Sequence, residues 1–210
     1  MTVAVILAAG RAARMGTNKL VLPLGPVTVV GSVLTTALAA CDRAVVVIGL
    51  HDQPTRTVVE QTAQKVGAVE RVELVTGVRY DPGMFISVQA GLRRVGTADA
   101  VLVFPGDVPL IAPATAVAVR DAVLQGGSAI AVPESGGRKG HPVAFAARCI
   151  PELLAMSDRS TMRHYMEAHT TDVTLVHVED PGMLLDLDTP EDYEHVVRSL
   201  NGNGTQSREV

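Results

Sequence analysis

The chain has 210 residues, of which 47% are hydrophobic, and 18 basic against 22 acidic side chains give a net charge of −4. This length predicts a single domain with a substantial core, and the apolar fraction excludes an intrinsically disordered chain. The acidic balance and the scarcity of aromatic residues (three Phe, three Tyr, no Trp) exclude a protein that binds nucleic acid by charge or base stacking.

The sequence carries no signal for secretion or for a membrane. Cys41 and Cys149 are too few for a disulfide framework and lack the spacing of metal ligands. The first apolar run follows no basic segment and ends after about eight residues, which is too short to cross a bilayer. We therefore expect a cytoplasmic protein with no membrane partner, in a reducing compartment.

Short apolar runs alternate with stretches of helical periodicity along the chain. In chain order, the prediction is strand 3–7, helix 27–40, strand 44–48, a helix on the face of 59–66, strand 72–75, a helix across 84–95, strand 100–104, helix 113–125, strands 128–132 and 143–146, helices 151–156 and 161–169, strands 174–178 and 183–187, and helix 189–200.

Strands that alternate with helices predict an α/β fold. We expect a single-domain, Rossmann-like three-layer sandwich with a mostly parallel, mixed central sheet. Residues 1–200 form this domain, and the polar segment 201–210 is predicted to be a disordered tail. Because ligands in such folds bind at the carboxyl ends of the strands, the loops after residues 7, 104 and 187 are the candidate functional loops.

The loop after the first strand combines small residues with two cations. Residues 8–10, Ala-Ala-Gly, let backbone N–H groups approach an anion closely, while Arg14 and Lys19 add positive charge that suits a triphosphate. The loop lacks the Gly-Lys-Ser/Thr of a P-loop and the third glycine of a dinucleotide fingerprint. From the residues alone, a flexible loop with two solvated basic side chains explains the pattern equally well.

Two later loops carry charged side chains in turn-forming sequence. Asp107 follows strand 100–104 and is placed where an oxygen ligand for Mg²⁺ would lie, although its Gly-Asp-Val-Pro context also favours an ordinary turn. The glycine-rich loop 136–141 carries Arg138 and His141, which could clamp a second anionic substrate. A solvated hairpin tip is the alternative for that loop.

The segment before the last helix holds two carboxylates, Asp186 and Asp188. We expect them to alternate along strand 183–187 and to face the same side, where two carboxylates in an apolar stretch favour a bound cation. The following Thr189 is a typical N-cap, and Asp192 completes a capping box with it. Helix chemistry thus explains Thr189 and Asp192, but not the two preceding aspartates.

Five segments in this order resemble the MobA-like NTP transferases, and the most similar branch is the molybdenum cofactor cytidylyltransferases. They are residues 7–20 (L-A-A-G-x-x-x-R-M-G-x-x-K-L), 82–92 (P-G-M…S…A-G-L), 106–110 (G-D-V-P-L), 137–143 (G-R-K-G-H-P-V) and 186–192 (D-L-D-T-P-E-D). The resemblance covers residues 3 to about 193. It departs from the family pattern at Phe85 and Ile86, which replace two of three consecutive serines.

The resemblance implies a fold of the nucleotidyltransferase type and a Mg²⁺-dependent transfer of CMP from CTP, or another NTP, to a phosphorylated pterin. It further implies transient contact with a molybdenum enzyme or its chaperone. Of the charged residues, it makes Arg14, Lys19 and Asp107 catalytic, and Asp107 and Asp188 the metal ligands. Arg138 and His141 would bind the acceptor. The implied nucleotide-binding residues are Leu7, Ala8, Ala9, Gly10, Arg14, Lys19, Gly83 and Ser87.

Two other function classes remain open. A dinucleotide-dependent oxidoreductase would need an acidic ribose ligand at the end of the second strand, where the sequence reads Ile-Gly-Leu-His over 48–51. A non-catalytic carrier of a nucleotide or a pterin is the other alternative, and the intact Asp107, Asp188 and Lys19 argue against it. Release of pyrophosphate separates a transferase from both.

Overall fold

Strands and helices alternate along the chain in the computed structural model, which describes residues 1–10, 15–78 and 84–203. The strands are β1 (Thr2–Ala8), β2 (Pro23–Leu24), β3 (Val27–Thr28), β4 (Arg43–Gly49), β5 (Val72–Val78), β6 (Ala100–Pro105), β7 (Ile130–Ser135), β8 (Arg138–Lys139), β9 (Val143–Ala146) and β10 (Val173–His177). The helices are α1 (Val29–Ala40), α2 (Gln53–Lys65), α3 (Met84–Leu92), α4 (Pro113–Leu124), α5 (Ile150–Ala155), α6 (Met162–Ala168) and α7 (Pro190–Asn203).

The main sheet has the strand order β10-β7-β9-β6-β1-β4-β5, and β8 extends β7 as a short hairpin. β1 lies parallel to β4 and β6, and β4 lies parallel to β5. β9 runs antiparallel to both β6 and β7. The predicted mixed, mostly parallel sheet is therefore confirmed.

Alternation along the central strands divides the core into two layers. In β1, Ala4 and Ile6 face a cluster that includes α1 and α4, whereas Val3 and Val5 face the layer of α3, α5 and α6. All four side chains are fully buried. A strand covered on both faces has to be apolar throughout, which explains the unbroken apolar run at the start of the sequence. The helix layers on both faces of the sheet confirm the predicted three-layer sandwich.

The predicted strand 183–187 is wrong. Pro181–Leu184 form a 3₁₀ turn, which the buried Asp180 fixes by accepting a hydrogen bond from the Gly182 N–H at 3.1 Å. A Cβ at Gly182 would lie 2.2 Å from the carbonyl oxygen of Leu110, so the chain passes too close to this neighbour for any other residue. The apolar side chains after it are buried by this close approach and not by strand pairing.

Smaller differences concern the ends of elements. The predicted helix 27–40 is preceded by β3 and begins at Val29, and the strand predicted at 128–132 is β7, Ile130–Ser135. The last helix continues to Asn203, past the predicted end at residue 200, and 204–210 lie outside the described residues. In the described part of the chain, no helix combines the length and the hydrophobicity that a bilayer crossing needs.

Gly91 lets α3 lie directly on the sheet. A Cβ at this position would lie 2.3 Å from Cγ1 of Val5 and 3.2 Å from Cγ2 of Val47, and both valines are buried in rigid strands. We therefore expect Gly91→Ala to lower the free energy of unfolding by about 1–3 kcal/mol through overpacking, measured by urea denaturation. Gly10→Ala is the matched control, because no atom of the described residues lies within 4 Å of its added Cβ. Equal stability of the two variants would contradict this account.

Candidate active site

A cleft of about 890 Å³ opens at the carboxyl ends of β1 and β6. Leu7, Ala9 and Gly10 line it after β1, and Asp107 lines it after β6. The hairpin beyond β8 and residues 183–188 form further walls. The loops expected to be functional after residues 7, 104 and 187 thus meet at one site. This volume lies near the upper end of the range for sites that hold a single small molecule, so the cleft is large enough for a nucleotide.

Lys19 lies beside this cleft, where it contacts two of the lining residues, and is only 9% exposed. Its Nζ lies 2.7 Å from Oδ2 of Asp107 and 2.9 Å from Oδ1 of Asp188. One ammonium group therefore joins the two predicted metal ligands. The alternative interpretation of Lys19 as a solvated side chain on a flexible loop is therefore wrong.

The position of Lys19 is fixed from its amino-terminal side. It begins a 3₁₀ turn, Lys19–Val21, whose cap is Asn18. The Asn18 side chain accepts a hydrogen bond from the Leu20 N–H at 3.1 Å and donates two at 3.0 Å, to Asp52 Oδ1 and Thr55 Oγ1 at the start of α2. The backbone that carries Lys19 is thereby attached to a helix, although the sequence suggests only a loop.

The charge of Lys19 is well defined. Burial alone would lower the pKa of Lys19, but the hydrogen bonds and charges of Asp107 and Asp188 outweigh burial and leave this pKa above its ordinary value. Lys19 is therefore a cation throughout the physiological pH range.

Backbone contacts bring Asp107 beside Asp188. The Gly106 N–H donates to the carbonyl of Leu7 at 2.9 Å, and a Cβ on Gly106 would lie only 2.8 Å from that oxygen. The carbonyl of Asp107 then accepts the Leu187 N–H at 3.1 Å. Asp107 is therefore more than a turn residue, because its own backbone holds the segment that carries Asp188.

The capping box of α7 is present and reaches one residue further than expected. Oδ2 of Asp192 accepts the Thr189 N–H at 2.7 Å and the Asp188 N–H at 3.1 Å, while the Asp192 N–H donates to Thr189 Oγ1 at 3.2 Å. Hydrogen bonds from Thr189 hold the pKa of Asp192 below its ordinary value. Helix capping thus also positions Asp188. Asp186 and Asp188 both line the cleft, although no strand carries them.

The two carboxylates fit a cation that a substrate helps to bind. Asp107 and Asp188 converge on one point, and carboxylate oxygens are the ligands that Mg²⁺ prefers. No group of three or more His, Cys, Asp or Glu side chains that could enclose a metal occurs in 1–10, 15–78 or 84–203. The remaining ligands would therefore be water and phosphate oxygens, as is usual for Mg²⁺.

His141 lines the cleft and carries a buried polar atom. Its Nδ1 is inaccessible to solvent and has no hydrogen-bond partner within the described residues. Burial lowers the pKa of His141, against the opposing charges of Asp107 and Asp186, so the ring is neutral at pH 7. Arg138 lies beside it on the exposed hairpin, and both residues line the cleft. Both predicted acceptor residues, Arg138 and His141, therefore line the cleft.

Sequence reasoning missed the segment 159–166. Arg159, Met162, Arg163 and Met166 all line the cleft. This segment follows α5, whose end is held by the buried Gln89 of α3: its Nε2 donates to three carbonyls at 2.9–3.4 Å. The sequence signal was weak, because residues 158–160 lack the glycine that the family pattern carries there.

The remaining predicted nucleotide-binding residues divide into three groups. Ser87 is buried on α3 and lines the cleft beside Phe85. Ala8 packs in the core cluster of α1, so its side chain does not contribute to the cleft lining. Arg14 and Gly83 lie outside the described residues.

A family model for the MobA-like NTP transferase domain matches residues 4–173 of this chain. The chain belongs to this family. The match contains β1, the Lys19 turn, Asp107 and the His141 hairpin, and it ends before Asp188. Nucleotidyl transfer is therefore the reaction class that this member shares with its family.

Individual relatives cover nearly the whole chain. It is 25% identical over 191 residues to the molybdenum cofactor cytidylyltransferase of Escherichia coli, covering 90% of this chain and 92% of that protein. It is 26% identical over 202 residues to the purine catabolism protein PucB of Bacillus subtilis, covering 95% and 97%. A solved structure, the manganese complex of Rv0371c from Mycobacterium tuberculosis, superposes with a TM-score of 0.70 at 25% identity, covering 94% of this chain and 97% of that chain.

Proposed function

We propose that this protein transfers CMP from CTP to the phosphate of molybdopterin and releases pyrophosphate, with Mg²⁺ as the metal. The observation that carries the proposal is the convergence of Lys19 on Asp107 and Asp188, two carboxylates that line the cleft. The Escherichia coli relative has this activity in its name, and the Mycobacterium tuberculosis relative binds a divalent metal.

The reaction needs positioning and charge neutralisation more than proton transfer. A phosphate oxygen of the acceptor forms a bond to the α-phosphorus of CTP, and the bond from that phosphorus to the pyrophosphate oxygen breaks. Because the attacking phosphate is already ionised, no general base is required. A divalent cation at Asp107 and Asp188 would supply neutralisation of the phosphate charge. The backbone of residues 7–10 holds the phosphates, and Lys19 and Arg14 stabilise the departing pyrophosphate.

The acceptor occupies the part of the cleft lined by Arg138, His141 and residues 159–163. Arg138 and His141, which both line the cleft, bind its polar groups. Arg159 and Arg163 add positive charge on the same side, which favours an anionic acceptor. Phe85 supplies an apolar surface where the family pattern has a serine, and such a surface suits a planar ring.

The test is a pyrophosphate-release assay with ATP, CTP, GTP and UTP and with molybdopterin as acceptor. We expect release with CTP that requires both the acceptor and Mg²⁺. Asp107→Ala and Lys19→Ala should each reduce turnover by on the order of 10²-fold or more, the usual effect of losing one preorganised charge. Lys65→Ala is the control, because this exposed lysine donates to the carbonyl of Pro26 and lies outside the described cleft lining. Binding of CTP without release from any nucleotide would instead support a carrier.

Discrimination between bases depends on Ala9. The members of this family that transfer a guanylyl group typically have Gly-Gly where this chain has Ala9-Gly10. Ala9 lines the cleft. Its methyl group leaves less room for a purine, at a cost of about 1–3 kcal/mol, or about 10- to 200-fold. We expect kcat/KM to favour CTP over GTP, and Ala9→Gly to narrow that ratio. A preference of the unmodified protein for GTP would refute cytidylyl transfer but not nucleotidyl transfer.

The basic side chain of Arg159 is expected to act on the acceptor alone. Arg159→Ala should raise KM for molybdopterin by about tenfold, the effect of one charged contact, and leave KM for CTP unchanged. Arg148→Ala is the matched control, since this arginine bonds the Gly127 carbonyl at 2.9 Å and is not part of the cleft lining. Equal changes in both KM values would place Arg159 at the nucleotide and contradict the assignment.

A further inference from the structure

Lys19 occupies the position that a divalent cation needs. Its ammonium nitrogen lies within 2.9 Å of one carboxylate oxygen from Asp107 and one from Asp188. These two residues are also the metal ligands of the proposed function. A second cation on the same two oxygens would lie only a few ångströms from the ammonium group, where like charges repel strongly in a partly buried site.

Hydrogen bonds hold the backbones of all three residues in place. The backbone of Asp188 is held by Asp192 through an N–H bond of 3.1 Å, and the carbonyl of Asp107 is bonded to the Leu187 N–H. The backbone of Lys19 is equally fixed, because Asn18 attaches it to α2. With the three backbones held, the side chain with the longest reach is the four-carbon chain of Lys19, which can exchange one anionic partner for another.

We propose that Lys19 is the resident cation of the Asp107–Asp188 pair in the nucleotide-free protein, and that it yields this position to a divalent metal only when a triphosphate accepts its ammonium group. This inference rests on the proposed function for the identity of the metal ligands. Metal and nucleotide then bind cooperatively: each removes the obstacle to the other, and the coupling is reciprocal. Metal alone binds the free protein weakly.

Removing the ammonium group should therefore strengthen metal binding while it slows catalysis. In Mn²⁺ titrations without nucleotide, followed by the electron paramagnetic resonance of free Mn²⁺, we expect Lys19→Met to bind at least about tenfold more tightly than the unmodified protein. Adding Asp107→Asn to Lys19→Met should abolish the gain. Lys65→Met removes the same charge outside the site, from a lysine bonded to Pro26 at 3.0 Å, and should leave Mn²⁺ affinity unchanged. A folded Lys19→Met variant with unmodified affinity would overturn the proposal.

A second measurement uses the unmodified protein and does not depend on the folding of a variant. The chain has three lysines, Lys19, Lys65 and Lys139, so ¹⁵N-lysine labelling gives few ammonium signals to assign. We expect millimolar Mg²⁺ alone to leave the Lys19 signal in place, and Mg²⁺ with α,β-methylene-CTP to shift it. Displacement of Lys19 by Mg²⁺ alone would overturn the proposal.

The outcomes separate this inference from the proposed function. A gain of Mn²⁺ affinity in Lys19→Met that requires Asp107, without pyrophosphate release from any nucleotide, supports the resident lysine and refutes the transferase. Pyrophosphate release by the unmodified protein, together with no gain in Lys19→Met, supports the transferase and refutes the resident lysine.

Discussion

The architecture of the site depends on one ammonium group between two carboxylates. Asp107 and Asp188 come from loops that follow different parts of the sheet, and Asp188 is 169 residues from Lys19. Two carboxylates so close together repel each other unless a cation lies between them. Lys19 supplies that charge, and the Asp107–Leu187 backbone bond and the cap of α7 hold the arrangement in place.

Most of the fold could be predicted from the sequence because the central strands are apolar on both faces. β1, β4 and β6 are covered by helices on each side, so their composition alone distinguishes them from loops. Residues 183–187 are also mostly apolar, with Asp186 as the charged exception, yet they form no strand. Their burial results from the turn that Asp180 begins and from contact of Gly182 with Leu110, and hydrophobicity does not encode either contact.

The candidate site could be predicted in part, for a similar reason. Asp107 follows a strand whose end is visible in the sequence, so its place at the sheet edge follows from the α/β rule. The burial of Lys19 has no local signal, because its partners are distant in sequence. Alternation along a strand predicts that Asp186 and Asp188 face the same side. Both do line the cleft, but residues 183–187 form no strand, so alternation is not the cause. Arg159 was missed because its neighbourhood departs from the family pattern.

The bond network of Gln89 has a consequence for how acceptor preference can change during evolution. Under the proposed function, the nucleotide phosphates are held by residues that follow β1 and β6 and by the segment before α7. Arg159 and Met162, in contrast, belong to a separate stretch after α5. The buried amide of Gln89 is bonded to carbonyls at the end of α5, and Met162 packs in the same core cluster as Phe85 of α3, so both contacts join that stretch to α3. Under the proposed function, substitutions between α5 and α6 would alter which molecule receives the nucleotide and would leave the Lys19–Asp107–Asp188 contacts in place.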